Sequence, residues 1–112
     1  MADRAEVYVR NELKKDVSII CNVTVGRSDS APVPVARGGK ERIPLQSPEA
    51  FLIIHPPKEM KMEDCWVKVK SKVDLTVLCS RTNSNWTIKI DPNVSTPDVP
   101  TTVNVTVGSN GP

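Results

Sequence analysis

Aromatic residues are scarce in this chain of 112 residues: two Trp, one Tyr and one Phe, 4% in all. Its core must therefore be built from Val, Ile and Leu, side chains that suit a pleated, half-buried backbone. Histidine is scarcer still. His55 would be the sole imidazole base for a Ser or Cys hydrolase, and it stands in Ile53-Ile54-His55-Pro56-Pro57, outside any catalytic motif. There is no G-x-S-x-G, no phosphate-binding glycine loop and no H-E-x-x-H. The chain is accordingly expected not to be an enzyme, with no catalytic residue and no cofactor assigned. A formal net charge of +2 is too small to specify nucleic acid or an anionic membrane. No apolar run approaches the roughly 18 residues of a membrane span, and Met1 leads into polar Ala2–Glu6 with no apolar export segment. Three cysteines, an odd number, fit a reducing compartment. Together these features favour the cytoplasm slightly.

What the chain does have is alternation. From Cys65 to Cys79 the apolar residues Cys65, Val67, Val69, Val73, Leu75, Val77 and Cys79 fall at odd positions, and Lys68, Lys70, Lys72, Asp74 and Thr76 at even ones. Period two marks a strand with one dry face. Because the phase is the same at both ends, the stretch reads as one long strand or as a hairpin with an odd loop. A loop of Ser71-Lys72-Val73 would set Lys70 opposite Asp74, Val69 opposite Leu75 and Cys65 opposite Cys79.

The same reading places strands at Ala5–Arg10, Val17–Val25, Glu41–Leu45, Ala50–Ile54, Trp86–Ile90 and Thr101–Val107, with Pro32-Val33-Pro34-Val35 as an edge strand or extended connection. Asn11–Asp16 and Gly26–Ala31 read as polar turns, Lys58–Asp64 as too short for an independent helix, and Pro92–Pro100 as an extended connector. Eight or nine short strands with no helix predict an all-β fold, a two-sheet antiparallel β-sandwich, with a closed barrel as the alternative. Residues 1–107 are expected to form one such domain and 108–112 a flexible tail.

The cysteines offer competing readings. Three buried, reduced thiols acting as small apolar residues outweigh a disulfide. If one forms, the hairpin favours Cys65 with Cys79. The spacing of Cys21 and Cys79, both inward by parity, with Asp74 ahead of the second in Asp74-Leu75-Thr76-Val77-Leu78-Cys79, resembles that of the inter-sheet cysteines of the immunoglobulin-like sandwich. That resemblance implies a Cys21–Cys79 pair and an immunoglobulin-like architecture, although no Trp follows Cys21 and Val77 stands where the tyrosine corner needs Tyr. The cysteines and His55 lack the close ligand pairs of a zinc site, so no metal is expected.

Outward parity gives the candidate ligand-binding residues: Trp66, with its aromatic plane, and the basic stripe Lys68, Lys70 and Lys72. Such a strip could hold an anionic polymer or sit beside a sugar ring, while a solvated sheet face is the plainer meaning. Glu59, Glu63, Asp64 and Asp74 partly neutralise it. The expected role is a non-catalytic binding module that recognises another macromolecule, a protein or a glycan, through a sheet face or loops. A lectin-like protein using Trp66 is the alternative, together with a structural subunit or homo-oligomer assembling through strand edges. No nucleic-acid partner is expected.

Overall fold

The computed structural model describes residues 5–45, 49–71, 75–92 and 101–110. The alternating stretches resolve into β1 (Ala5–Glu12), β2 (Ile19–Val25), β3 (Ser28–Asp29), β4 (Val33–Val35), β5 (Lys40–Leu45), β6 (Ala50–His55), β7 (Cys65–Ser71), β8 (Leu75–Arg81), β9 (Trp86–Pro92) and β10 (Thr101–Ser109). Among the described residues only a 3-10 turn, Met62–Asp64, interrupts them. Among the described residues no helix is long and apolar enough to cross a membrane.

Two sheets pack face to face without closing into a barrel, so the sandwich is the architecture. The smaller sheet has the order β5-β1-β10-β7. The larger has β3-β2-β6-β9-β8, with β4 also paired to β2. Val7, Val9, Val103, Val105 and Val107 from the smaller sheet, and Ile19, Cys21, Leu52, Ile54 and Ile88 from the larger, are all 0% exposed and belong to one core cluster. Burying each such side chain stabilises the fold by roughly 1.5–3 kcal/mol, so the alternation is what holds the two sheets together.

Three features differ from the sequence reading. The hairpin across 71–73 does not form, because β7 and β8 belong to different sheets: β7 pairs with β10 and β8 with β9. Preserved phase is equally satisfied when a strand leaves one sheet and re-enters the facing one with the same residues inward. Secondly, β1 and β10 run parallel, so the sandwich is not wholly antiparallel. Thirdly, Gly108 and Ser109, expected in the tail, complete β10; the Ser109 hydroxyl accepts the Lys14 N–H at 3.0 Å and the Asn110 N–H reaches the Asp64 carbonyl at 2.8 Å. The connector expected at Pro92–Pro100 lies, beyond Pro92, outside the described residues.

Asn11, expected in a polar turn, is fully buried at the end of β1. Its side-chain amide donates to the Val17 carbonyl at 3.0 Å and the Val35 carbonyl at 2.8 Å, while Oδ1 accepts the Leu13 N–H at 3.0 Å. Its backbone N–H donates to the Gly39 carbonyl at 3.1 Å, and its carbonyl accepts the Gly38 N–H at 2.8 Å. The partner turn closes with the Gly39 N–H on the Ala36 carbonyl; Gly38, at φ 78°, supplies the left-handed residue a type II turn needs. One side chain thus ties β1 of the smaller sheet to the end of β4 in the larger.

Asn11→Ala leaves two buried carbonyls and one N–H unpaired, each costing roughly 1–3 kcal/mol. The expected loss is about 3 kcal/mol, measured as a lower urea midpoint at unchanged slope. Asn11→Asp, which cannot donate, should lose stability as well.

Candidate functional site

The outer face of the smaller sheet carries the site. Because β10 lies between β1 and β7, residues far apart in the chain stand in register: Arg42, Tyr8, Asn104 and Lys70 form one row, and Lys40, Arg10, Thr106 and Lys68 the next. Glu12, Gly108 and Trp66 make a third. Within a strand such rows lie about 7 Å apart, and the four strands span about 14 Å from β5 to β7. The alternate residues, among them Val7, Val9, Ile43, Val105 and Val107, are buried in the core, so all ten side chains project to the solvent side.

Trp66 lies across β10. Gly108, directly opposite, leaves room for the indole, since a Cβ there would fall within the Trp66 ring atoms Cζ2, Cη2 and Cε2. The ring is half-buried, and the Lys68 ammonium sits 5.1 Å from its centroid. Tyr8 repeats the arrangement, with Lys40 Nζ 4.7 Å from the ring centroid. Ring quadrupoles attract these ammoniums and hold them against a flat surface. Arg10 pairs with Glu12 at 3.6 Å and Arg42 with Glu6 at 3.8 Å, both at exposed positions where such pairs are weak and exchangeable. Among the described residues, five cations therefore share this face with two carboxylates, Glu6 and Glu12. A depression of about 160 Å³ between them is lined by Tyr8, Arg10, Lys40, Asn104 and Thr106.

Of the residues expected from sequence, Trp66, Lys68 and Lys70 stand together on this face, and Lys72 lies outside the described residues. Tyr8, Arg10, Lys40, Arg42, Asn104 and Thr106 were not anticipated. Their outward parity was readable strand by strand; their meeting depends on β1 and β7 both choosing β10.

Neither of the alternative disulfides is formed, and all three cysteines are free thiols; Cys21 and Cys65 are buried as expected, whereas Cys79, expected inward, is exposed on the outermost strand of its sheet. Cys65 stands opposite Ser109 and Cys79 opposite Ile88, in different sheets. Cys21 and Cys79 share the larger sheet with β6 and β9 between them, about 14 Å of strand spacing against the roughly 7 Å a disulfide allows. The inter-sheet cysteine pair of the immunoglobulin-like resemblance is thereby absent. Cys21 is fully buried, and burial pushes its thiol up to about 12; burial and the Asp64 carboxylate also raise Cys65, while the Arg81 guanidinium draws it back. Among the described residues no group of three His, Cys, Asp or Glu side chains is placed to hold a metal ion.

The buried Cys21 thiol stays neutral in the fold but ionises near the ordinary thiol value of 9.0 once the chain unfolds. Its contribution to stability is complete below pH 9 and is lost as pH rises towards about 12, at a slope near 1.4 kcal/mol per pH unit. Comparing denaturation curves from pH 8 to 11, Cys21→Val should flatten the alkaline decline relative to the native chain. Exposed Cys79 should react first with a thiol reagent, and Cys79→Ser should remove that fast phase. No family model matches the chain, and no curated protein or solved structure was found similar to it.

Proposed function

We propose that the protein is a non-catalytic binding module whose smaller sheet recognises an acidic macromolecule on its outer face. The observation that carries this reading is the assembly of Lys40, Arg42, Arg10, Lys68 and Lys70 on one flat surface, two of them held over aromatic rings. Five of the chain's 15 Lys and Arg stand there against two carboxylates, Glu6 and Glu12, an excess of positive charge in a chain whose net charge is only +2. A cationic surface of this kind raises the local concentration of an anionic partner and speeds encounter, in a manner that added salt weakens.

The opposite outer face has another character. Leu78 is 61% exposed and Phe51 37%; Phe51 carries Lys89 5.8 Å from its ring centroid, and Leu78 stands opposite Lys89 in the ladder. Exposed apolar side chains beside the edge strand β8 support a second reading, self-association through the larger sheet. Light scattering across a concentration series is its check: a mass that rises for the native chain and stays monomeric for Leu78→Ser.

On immobilised dextran sulfate the native chain should be retained at low salt and released by salt. The pairs Lys68→Gln/Lys70→Gln and Arg10→Gln/Lys40→Gln should elute at clearly lower salt with unchanged thermal midpoints. Lys58→Gln/Lys61→Gln, outside the face, should shift elution little; an equal shift for all three pairs would mean that overall charge, and not this face, does the binding.

A further inference from the structure

We infer that the acidic ligand of this face is a sulfated or carboxylated glycan, with one sugar ring seated between Tyr8, Asn104 and Thr106; this rests on the binding role proposed above. The argument begins with the distribution of charge. Lys40 and Arg42 line one margin of the face on β5, and Lys68 and Lys70 line the other on β7, about 14 Å away. Between those margins Arg10 is paired with Glu12, and Glu6 with Arg42 of the margin, and beside them stand neutral polar groups: the phenol of Tyr8, the amide of Asn104 and the hydroxyl of Thr106. A ligand matched to this pattern has separated anionic groups joined by uncharged, hydroxyl-bearing units.

Size and chemistry of the depression agree. Its volume of about 160 Å³ leaves space for one small ring unit and not for a long segment of polymer. Beside Val105, the lining offers an amide with both donor and acceptor atoms, the Thr106 hydroxyl that can do either, the Tyr8 hydroxyl that donates to Glu6 and can accept, and two cations that only donate. Vicinal sugar hydroxyls, each donor and acceptor at once, meet such a set well, and a sulfate or carboxylate on the same ring meets Arg10 and Lys40. An acidic peptide would bring carboxylates but few groups to use Asn104 and Thr106.

Nucleic acid fits less well. Single strands bind by stacking bases on aromatic faces, yet both rings here already carry an ammonium, Lys40 over Tyr8 and Lys68 over Trp66. Stacking would first have to displace these lysines. The sulfate or carboxylate of a glycan instead meets them where they lie.

The test compares three fluorescent polyanions of matched charge, a heparin oligosaccharide, poly-glutamate and oligo(dT), and the less charged desulfated form of the first, by anisotropy at one low salt concentration. The expected order places the heparin oligosaccharide at least tenfold tighter than poly-glutamate or oligo(dT), with the desulfated sugar weak. Asn104→Ala and Thr106→Val remove no charge and, at solvent-facing positions, should leave the thermal midpoint in place. Each should weaken heparin binding roughly three- to tenfold, the cost of a lost hydrogen bond, and leave poly-glutamate binding unchanged. Equal affinity for all three polyanions, with Asn104→Ala and Thr106→Val silent, overturns the glycan assignment while the cationic face stands. Binding of none of them overturns both.

Discussion

The smaller sheet depends on a single strand. β10 sits between β1 and β7, and its Val103, Val105 and Val107 are completely buried against the core. Its backbone satisfies β1 in parallel along one edge and β7 antiparallel along the other. Remove it and β5-β1 and β7 are separate edges with unpaired N–H and C=O groups, which no small sheet tolerates. Its other side supplies Thr102, Asn104, Thr106 and Gly108, the floor on which the flanking cations stand. Core and candidate site are thus the two faces of one strand.

Asn11 secures this arrangement at its end. A buried amide that uses both donors and its acceptor is tolerable only where every partner is in place. Its partners come from the loop after β1, from β4 and from the turn before β5, so one residue sets the end of β1 relative to the larger sheet. The Arg10 and Glu12 side chains on either side of it inherit that placement, and with them part of the cationic face.

Much of the fold was legible because alternation is local. Val7 and Val9, Ile19 and Cys21, and Val103 to Val107 each announce a strand and its buried face without knowledge of partners. Trp66, Lys68 and Lys70 were assigned outward on the same ground, and Trp86 inward, where it is 4% exposed. Partner choice was not legible. The stretch from Cys65 to Cys79 satisfies a hairpin and a change of sheet equally well, since both turn the odd positions to the same side; only the longer-range competition of β10 for β7 and β9 for β8 decides. The depression between Tyr8 and Asn104 lay beyond local reading for the same reason, as did the burial of Asn11, whose polarity in isolation signals a turn.

The position of β10 also bears on the order of synthesis. The middle strand of the smaller sheet is the last of the ten to leave the ribosome, whereas β1, its parallel neighbour, is the first. Until then β1 can pair only with β5, and β7 has its sheet partner still to come. Contacts spanning nearly the whole chain form slowly, and a nascent β7 with an open edge is the kind of surface that invites misassociation. Outward Lys68 and Lys70 keep that waiting edge charged, so the same lysines that belong to the proposed binding face discourage stray pairing during its making.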